Sequence, residues 1–205
     1  MDQDNTKQHW EKVYAEKDPR DVSWFQAEPV ISLEILKRIS DNHDQIIDVG
    51  GGASVLVDYL LKLGYSKVAV LDISGKAIKH AKKRLGDLSD KVEWYEKDIT
   101  KFTPPHPYDV WHDRAVFHFL TDRQSRESYL NAVKSTIKSG GHVIIATFAK
   151  DGPKKCSGLD IVQYDSSSIQ NELGDEFILL ESQLENHITP SGNEQRFNYF
   201  IFRRK

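Results

Sequence analysis

The residues most able to do chemistry sit at the ends of short apolar runs. Ile46-Ile47-Asp48-Val49-Gly50-Gly51-Gly52-Ala53-Ser54 joins one such run to a glycine turn. Bare glycine backbone lets a ligand approach without Cβ obstruction. The free N–H groups of a helix that follows attract negative charge. Asp72 ends the next run about 20 residues on, where an acidic side chain can accept both hydroxyls of a ribose. Asp98 follows the run Val92 to Tyr95, and His112-Asp113-Arg114 follows Tyr108 to Trp111. Ligands collect at strand ends in doubly wound sheets, so these positions describe a nucleoside site.

The residues alone leave the nucleoside open. A dinucleotide such as NAD calls for G-x-G-x-x-G, and Val55 stands at the third glycine position. Asp48 favours another ligand, because a carboxylate beside the glycine turn suits a cationic amino acid tail better than a pyrophosphate. Asp48-x-Gly50-x-Gly52, then Asp72, Asp98 and Asp113 after successive strands, resembles the class I S-adenosylmethionine-dependent methyltransferases. The resemblance implies roles for individual residues. Gly50, Gly51 and Gly52 would lie against the amino acid portion of S-adenosylmethionine, beside Asp48. Asp72 would hold the ribose, with Ile73 on the adenine face. Asp98 would accept from the adenine amino group, with Ile99 packed nearby. The segment His112 to Arg114 would face the methionine end.

Methyl transfer from a sulfonium is an in-line displacement that asks mainly for alignment and a dry site. Acceptors that carry a proton also need a base. Trp111 to Phe119 offers candidates. Asp113 can orient an amine, Arg114 can pair with a carboxylate, and His118 can act as base. The structural alternative pairs Asp113 with Arg114 to fix the turn and packs His118 in the core. His112 is expected to point to the opposite face from Asp113, as strand neighbours do. Trp10, Tyr14, Trp24 and Phe25 are expected either to close over the cofactor, with a cation–π contact to its sulfonium, or to anchor the first helices. Cys156, beside Lys154 and Lys155, is a candidate pocket edge with a lowered pKa, and His187 and Thr189 can reach the same side.

Positioning these groups requires alternating strands and helices. Strands are expected at 45–49, 67–71, 92–95, 108–111 and 142–148, with Gly140-Gly141 ending the helix before the last. Helices are expected at 54–63, 74–85 and 122–137, and upstream at 9–16 and 29–39. Two final β-like runs, 177–184 and 197–202, flank the turn signal Thr189-Pro190-Ser191-Gly192-Asn193. The expectation is an α/β fold: three layers, doubly wound, with a mostly parallel seven-stranded sheet and a C-terminal antiparallel hairpin. A single methyltransferase domain is expected over 1–205, with a helical cap (1–40), a cofactor-binding core (41–150) and a substrate-side loop and hairpin (151–205).

Composition narrows the partners. A formal charge of -3 in 205 residues offers no global attraction to nucleic acid or anionic lipid. Cys156 is the lone cysteine, and the N-terminus is polar and lacks an apolar leader stretch, so a cytoplasmic, membrane-free protein is expected. The eight histidines fall in no zinc-binding spacing, so no metal is expected. The reading is a methyltransferase acting on a small molecule or a protein side chain. The alternatives are an NAD-dependent oxidoreductase and a non-catalytic nucleoside-binding module.

Overall fold

The computed structural model describes residues 3–205. Two helices, α1 (Gln3–Glu16) and α2 (Val30–Ile39), precede β1 (Gln45–Val49), α3 (Leu56–Lys62), β2 (Lys67–Asp72), α4 (Gly75–Leu85) and β3 (Val92–Glu96). The chain continues through β4 (Tyr108–Arg114), α5 (Arg123–Thr136) and β5 (Ile137–Phe148). A two-stranded ribbon, β6 (Lys155–Cys156) and β7 (Leu159–Asp160), and α6 (Ser166–Leu173) lead to β8 (Phe177–Ile188) and β9 (Glu194–Arg204). Among the described residues, seven strands form one sheet in the order β3-β2-β1-β4-β5-β9-β8. β1 to β5 run parallel, and β9 is antiparallel to both β5 and β8.

Buried strands with alternating faces explain the layering. Ile46, Val110 and Ile144 face α2 and α3 on one side, while Ile47, Trp111 and Ile145 face α5 and α6 on the other. The strand order reverses between β1 and β4, where Asp48 lies opposite His112 and Val49 opposite Asp113. That switch point opens a crevice at the carboxyl ends of the strands. Side-chain caps fix where α4 and α5 begin. Ser74 accepts from the Ala77 N–H and Asp122 from the Ser125 N–H, each cap worth about 1 kcal/mol.

α1 starts at Gln3 and β4 runs to Arg114, both beyond the sequence expectation, and three further differences bear on the fold. β5 starts at Ile137, so Gly140 and Gly141 lie inside the strand rather than ending a helix. Gly140 adopts φ +80°, and the β4–β5 register shifts between Tyr108 and Val110, which lets the strand absorb the irregularity. α6 was not anticipated: its eight residues carry too few apolar positions to stand out, yet Ile169 and Leu173 are fully buried and Asp165 with Ser168 forms a capping box. The hairpin arms are longer than expected, and β8 forms one sheet edge, where Leu184 and Ile188 are exposed. Among the described residues, no helix is long and apolar enough to cross a membrane.

Candidate cofactor and active site

Two cavities adjoin at the carboxyl ends of β1, β2 and β4. The first measures about 790 Å³ and the second about 590 Å³, each counted out to its open mouth. Tyr14, Trp24, Val49, Gly50 and Arg114 line both, so the glycine turn separates two halves of one cleft.

The first half is floored by Asp72 and Ile73 after β2 and by Asp98 and Ile99 after β3. Asp72 is buried, and its carboxylate accepts from the Gly52 N–H at 2.9 Å and the Ser74 N–H at 2.8 Å. Burial pushes its pKa up to about 6, despite those two bonds. The Asp98 carboxylate accepts from the Thr100 N–H and hydroxyl. Trp10, Tyr14 and Trp24 form the roof. The Trp10 ring meets Trp24 edge-on at 5.5 Å and Phe119 at 5.2 Å, and the Trp24 indole donates to the Tyr14 hydroxyl at 3.2 Å. α1 is tied down by His80 against the Tyr14 carbonyl and by His9 against the Ser157 hydroxyl, both at 3.0 Å. Thr6, Lys97, Val116, Phe119 and Leu120 also line this half, and none was singled out from sequence.

The second half is built on Asp48, Gly50, Gly51 and His112. Asp48 is 2 % exposed, its Oδ1 lies 2.7 Å from His112 Nδ1, and its Oδ2 is buried with no hydrogen-bond partner. The glycines serve three separate ends. Gly50 has φ +73°, and a Cβ there would come within 2.1 Å of Val116 Cγ2. A Cβ on Gly51 would lie 2.2 Å from Asp48 Oδ2. A Cβ on Gly52 would meet Asp72 Oδ2 at 2.6 Å and the Ala77 methyl at 2.7 Å, and Gly52 lines neither half of the cleft. The expectation that Gly52 faces a ligand is therefore corrected: its bare Cα makes room for Asp72 and α4.

Arg114 spans both halves with its side chain 10 % exposed. Its Nε–H donates to the Tyr199 hydroxyl at 2.9 Å, one Nη to the Trp24 carbonyl at 3.0 Å and the other to Glu185 at 3.3 Å, and its plane lies 4.3 Å from the Phe197 ring centre. Glu185 also accepts from Gln26 at 2.6 Å. The hairpin thus holds the Trp24 loop through Arg114. His187 does the same by contacting the Ser23 carbonyl at 2.7 Å, and Thr189 closes the turn onto Asn193, so neither lines the cleft.

Two catalytic expectations are overturned. Asp113 is fully buried on the face opposite Asp48 and accepts from the Val116 N–H, the Phe117 N–H and the Tyr129 hydroxyl at 2.9, 3.0 and 2.6 Å. It fixes the turn, as the structural alternative held, though without Arg114. His118 is also fully buried and lies against Phe119 and Phe148, with burial lowering its pKa to about 3. An imidazole buried outside the cleft lies out of a substrate's reach, and its lowered pKa makes it a weak base. His118→Phe is expected to leave S-adenosylhomocysteine affinity within about threefold and to cost at most about 2 kcal/mol of stability, checked by calorimetry and thermal unfolding. Cys156 does line the cleft, but burial pushes its thiol up to about 12 rather than down, so it is not a thiolate at neutral pH.

Residues 47–143 match the family model described as a methyltransferase domain. The malonyl-[acyl-carrier protein] O-methyltransferase 2 of Ilyobacter polytropus is 29 % identical over 120 residues, 58 % of this chain and 45 % of that protein. The chain thus spans less than half the length of the first curated relatives it matches. An S-adenosylmethionine-dependent methyltransferase from Anabaena variabilis superposes with a TM-score of 0.76 at 15 % identity, over 98 % of this chain and 94 % of its own. The N-methyltransferase NodS of Bradyrhizobium japonicum, in complex with S-adenosylhomocysteine, superposes with a TM-score of 0.72 at 18 % identity, covering 98 % of each chain. Over residues 47–143 the chain is similar to methyltransferase domains, and over 98 % of its length it shares the fold of these solved structures.

Proposed function

We propose that this protein binds S-adenosylmethionine across both halves of the cleft and transfers its methyl group to a small molecule or a protein side chain. The observation that carries the reading is Asp48 Oδ2, a buried carboxylate oxygen with no partner, beside a glycine whose missing Cβ leaves it reachable. An ammonium group satisfies it, and burial strengthens such a pair. Arg114 retains N–H groups for a carboxylate in the same half. In the other half, Asp72 suits a ribose, Ile73 and Ile99 an adenine ring, and Asp98 its amino group.

When bound, the cofactor supplies a methyl group already activated on a sulfonium. The protein's part is alignment and exclusion of water. Trp10, Tyr14 and Trp24 cover the cleft, and Phe119 packs against Trp10 at its inner end. The Ilyobacter relative is named for methylating malonyl-acyl-carrier protein, and another relative for methylating lysine and the N-terminus of eEF1A; acceptors of either size accord with this reading. A cytoplasmic setting, with no nucleic acid or metal, and a single domain over 1–205 complete the proposal.

S-adenosylhomocysteine is expected to raise the melting temperature, and NADH to leave it unchanged. No shift with saturating S-adenosylhomocysteine would defeat the reading; a shift with NADH alone would favour an oxidoreductase. Affinity is also expected to fall about tenfold between pH 7 and pH 5, because a protonated Asp72 loses an acceptor site, and its pKa is about 6. Stability of the ligand-free protein moves the other way. A carboxyl raised by burial stabilises the fold below its unfolded pKa and loses that contribution as pH rises through about 6. Calorimetric titrations at several pH values check both signs.

A further inference from the structure

Asp48 and Arg114, which line the second half of the cleft, are each backed by a buried hydroxyl, Asp48 through His112. His112 Nε2 lies 2.9 Å from the Ser32 hydroxyl, and Ser32 is fully buried on α2. The Tyr199 hydroxyl, fully buried on β9, accepts from the Arg114 Nε–H at 2.9 Å. Burial pushes this phenol up to about 12, so it keeps its proton and can donate.

The donor directions are determined by the two ends. Arg114 only donates, so its Nε–H points at the Tyr199 oxygen. An ionised Asp48 only accepts, so the proton on His112 sits on Nδ1. A neutral His112 then accepts from the Ser32 hydroxyl at Nε2. Both bonds of the Ser32–His112–Asp48 chain then point toward Asp48. Chains with one donor direction polarise each member in turn.

We infer that Ser32 and Tyr199 are positioning residues, which with His112 hold Asp48 and Arg114 as a matched pair for the ammonium and carboxylate of an amino acid group. This rests on the cofactor reading above. It goes beyond that reading in assigning the specificity for the amino acid portion to two hydroxyls that line neither the ribose nor the adenine subsite. Ser32 lines the second half of the cleft next to His112, and Tyr199 lines neither half. Loss of either hydroxyl frees a carboxylate or a guanidinium to turn away from the ligand. The adenosine half, built on Asp72 and Asp98, is untouched by that loss.

The test compares two ligands that share adenosine. S-adenosylhomocysteine carries the amino acid group; 5′-methylthioadenosine lacks it. Ser32→Ala and Tyr199→Phe are each expected to weaken S-adenosylhomocysteine by roughly 5- to 30-fold. Both should bind 5′-methylthioadenosine within about twofold of the unaltered protein, which also shows that each variant is folded. The double variant should lose about the product of the two single effects, since each hydroxyl supports a different charged group. Equal losses for both ligands, or no loss for either, would overturn the inference and leave the cofactor reading standing. If the unaltered protein bound 5′-methylthioadenosine but gained nothing from the amino acid group, the cofactor reading itself would fail.

Discussion

Asp48→Asn is expected to bind S-adenosylhomocysteine about 100-fold more weakly, a loss of roughly 2.7 kcal/mol. The substitution keeps the shape of the side chain and an oxygen that can still accept from His112. It removes the charge from an oxygen that is buried and otherwise unpartnered. An ammonium pairs more strongly with a buried carboxylate than with an amide, because little water remains to screen the pair. The melting temperature without ligand should not fall, since one desolvated charge is relieved. Calorimetry at pH 7.5 measures the affinity. A dissociation constant within threefold of the unaltered protein would mean that Asp48 meets no cation.

Asp113→Ala is expected to cost about 3–5 kcal/mol of folding stability. The carboxylate accepts from two backbone N–H groups and the Tyr129 hydroxyl in a fully buried site, and alanine leaves all three without an acceptor. The consequences reach the cleft. Asp113 secures Val116 and Phe117 just after Ala115, which sits at φ +70°, a conformation that costs about 1–2 kcal/mol for a residue with a Cβ. Val116 in turn fills the space beside Gly50. Weaker cofactor binding should therefore accompany the lost stability, for both S-adenosylhomocysteine and 5′-methylthioadenosine. Chemical denaturation supplies the energy. A variant with full stability and a selective loss of turnover would restore Asp113 to the chemistry. Asp113→Asn should be only partly tolerated, because its amide nitrogen would face a donor where the carboxylate offered an acceptor.

The contrast between Asp48 and Asp113 shows how far the chain could be read in one dimension. Both end a strand, both are buried, and they sit on neighbouring strands. Nothing in their local sequence separates an aspartate with a free oxygen from one whose oxygens are all engaged. The difference lies in which face of the sheet each points to and what packs there, which is α2 and the glycine turn for Asp48 and α5 for Asp113. His118 misled for a similar reason. Its density of neighbouring functional groups was real, but the backbone turn at Ala115 carries it into the core instead of the cleft.

The one-dimensional pattern was enough for the parallel strands, the reversed hairpin, the glycine turn and the acidic strand ends at 72 and 98, because each follows from local periodicity or a local turn. Placement of Trp10, Tyr14 and Trp24 over the cleft, and of Ser32, Glu185 and Tyr199 around Arg114, required the folded chain. These residues are separated by up to 189 positions between α1 and β9. Their contacts arise only when the last hairpin inserts β9 beside β5 and brings it alongside the end of β4. Long-range meeting of that kind leaves no short-range signature, since each partner is an ordinary residue of its own helix or strand until the sheet closes around it.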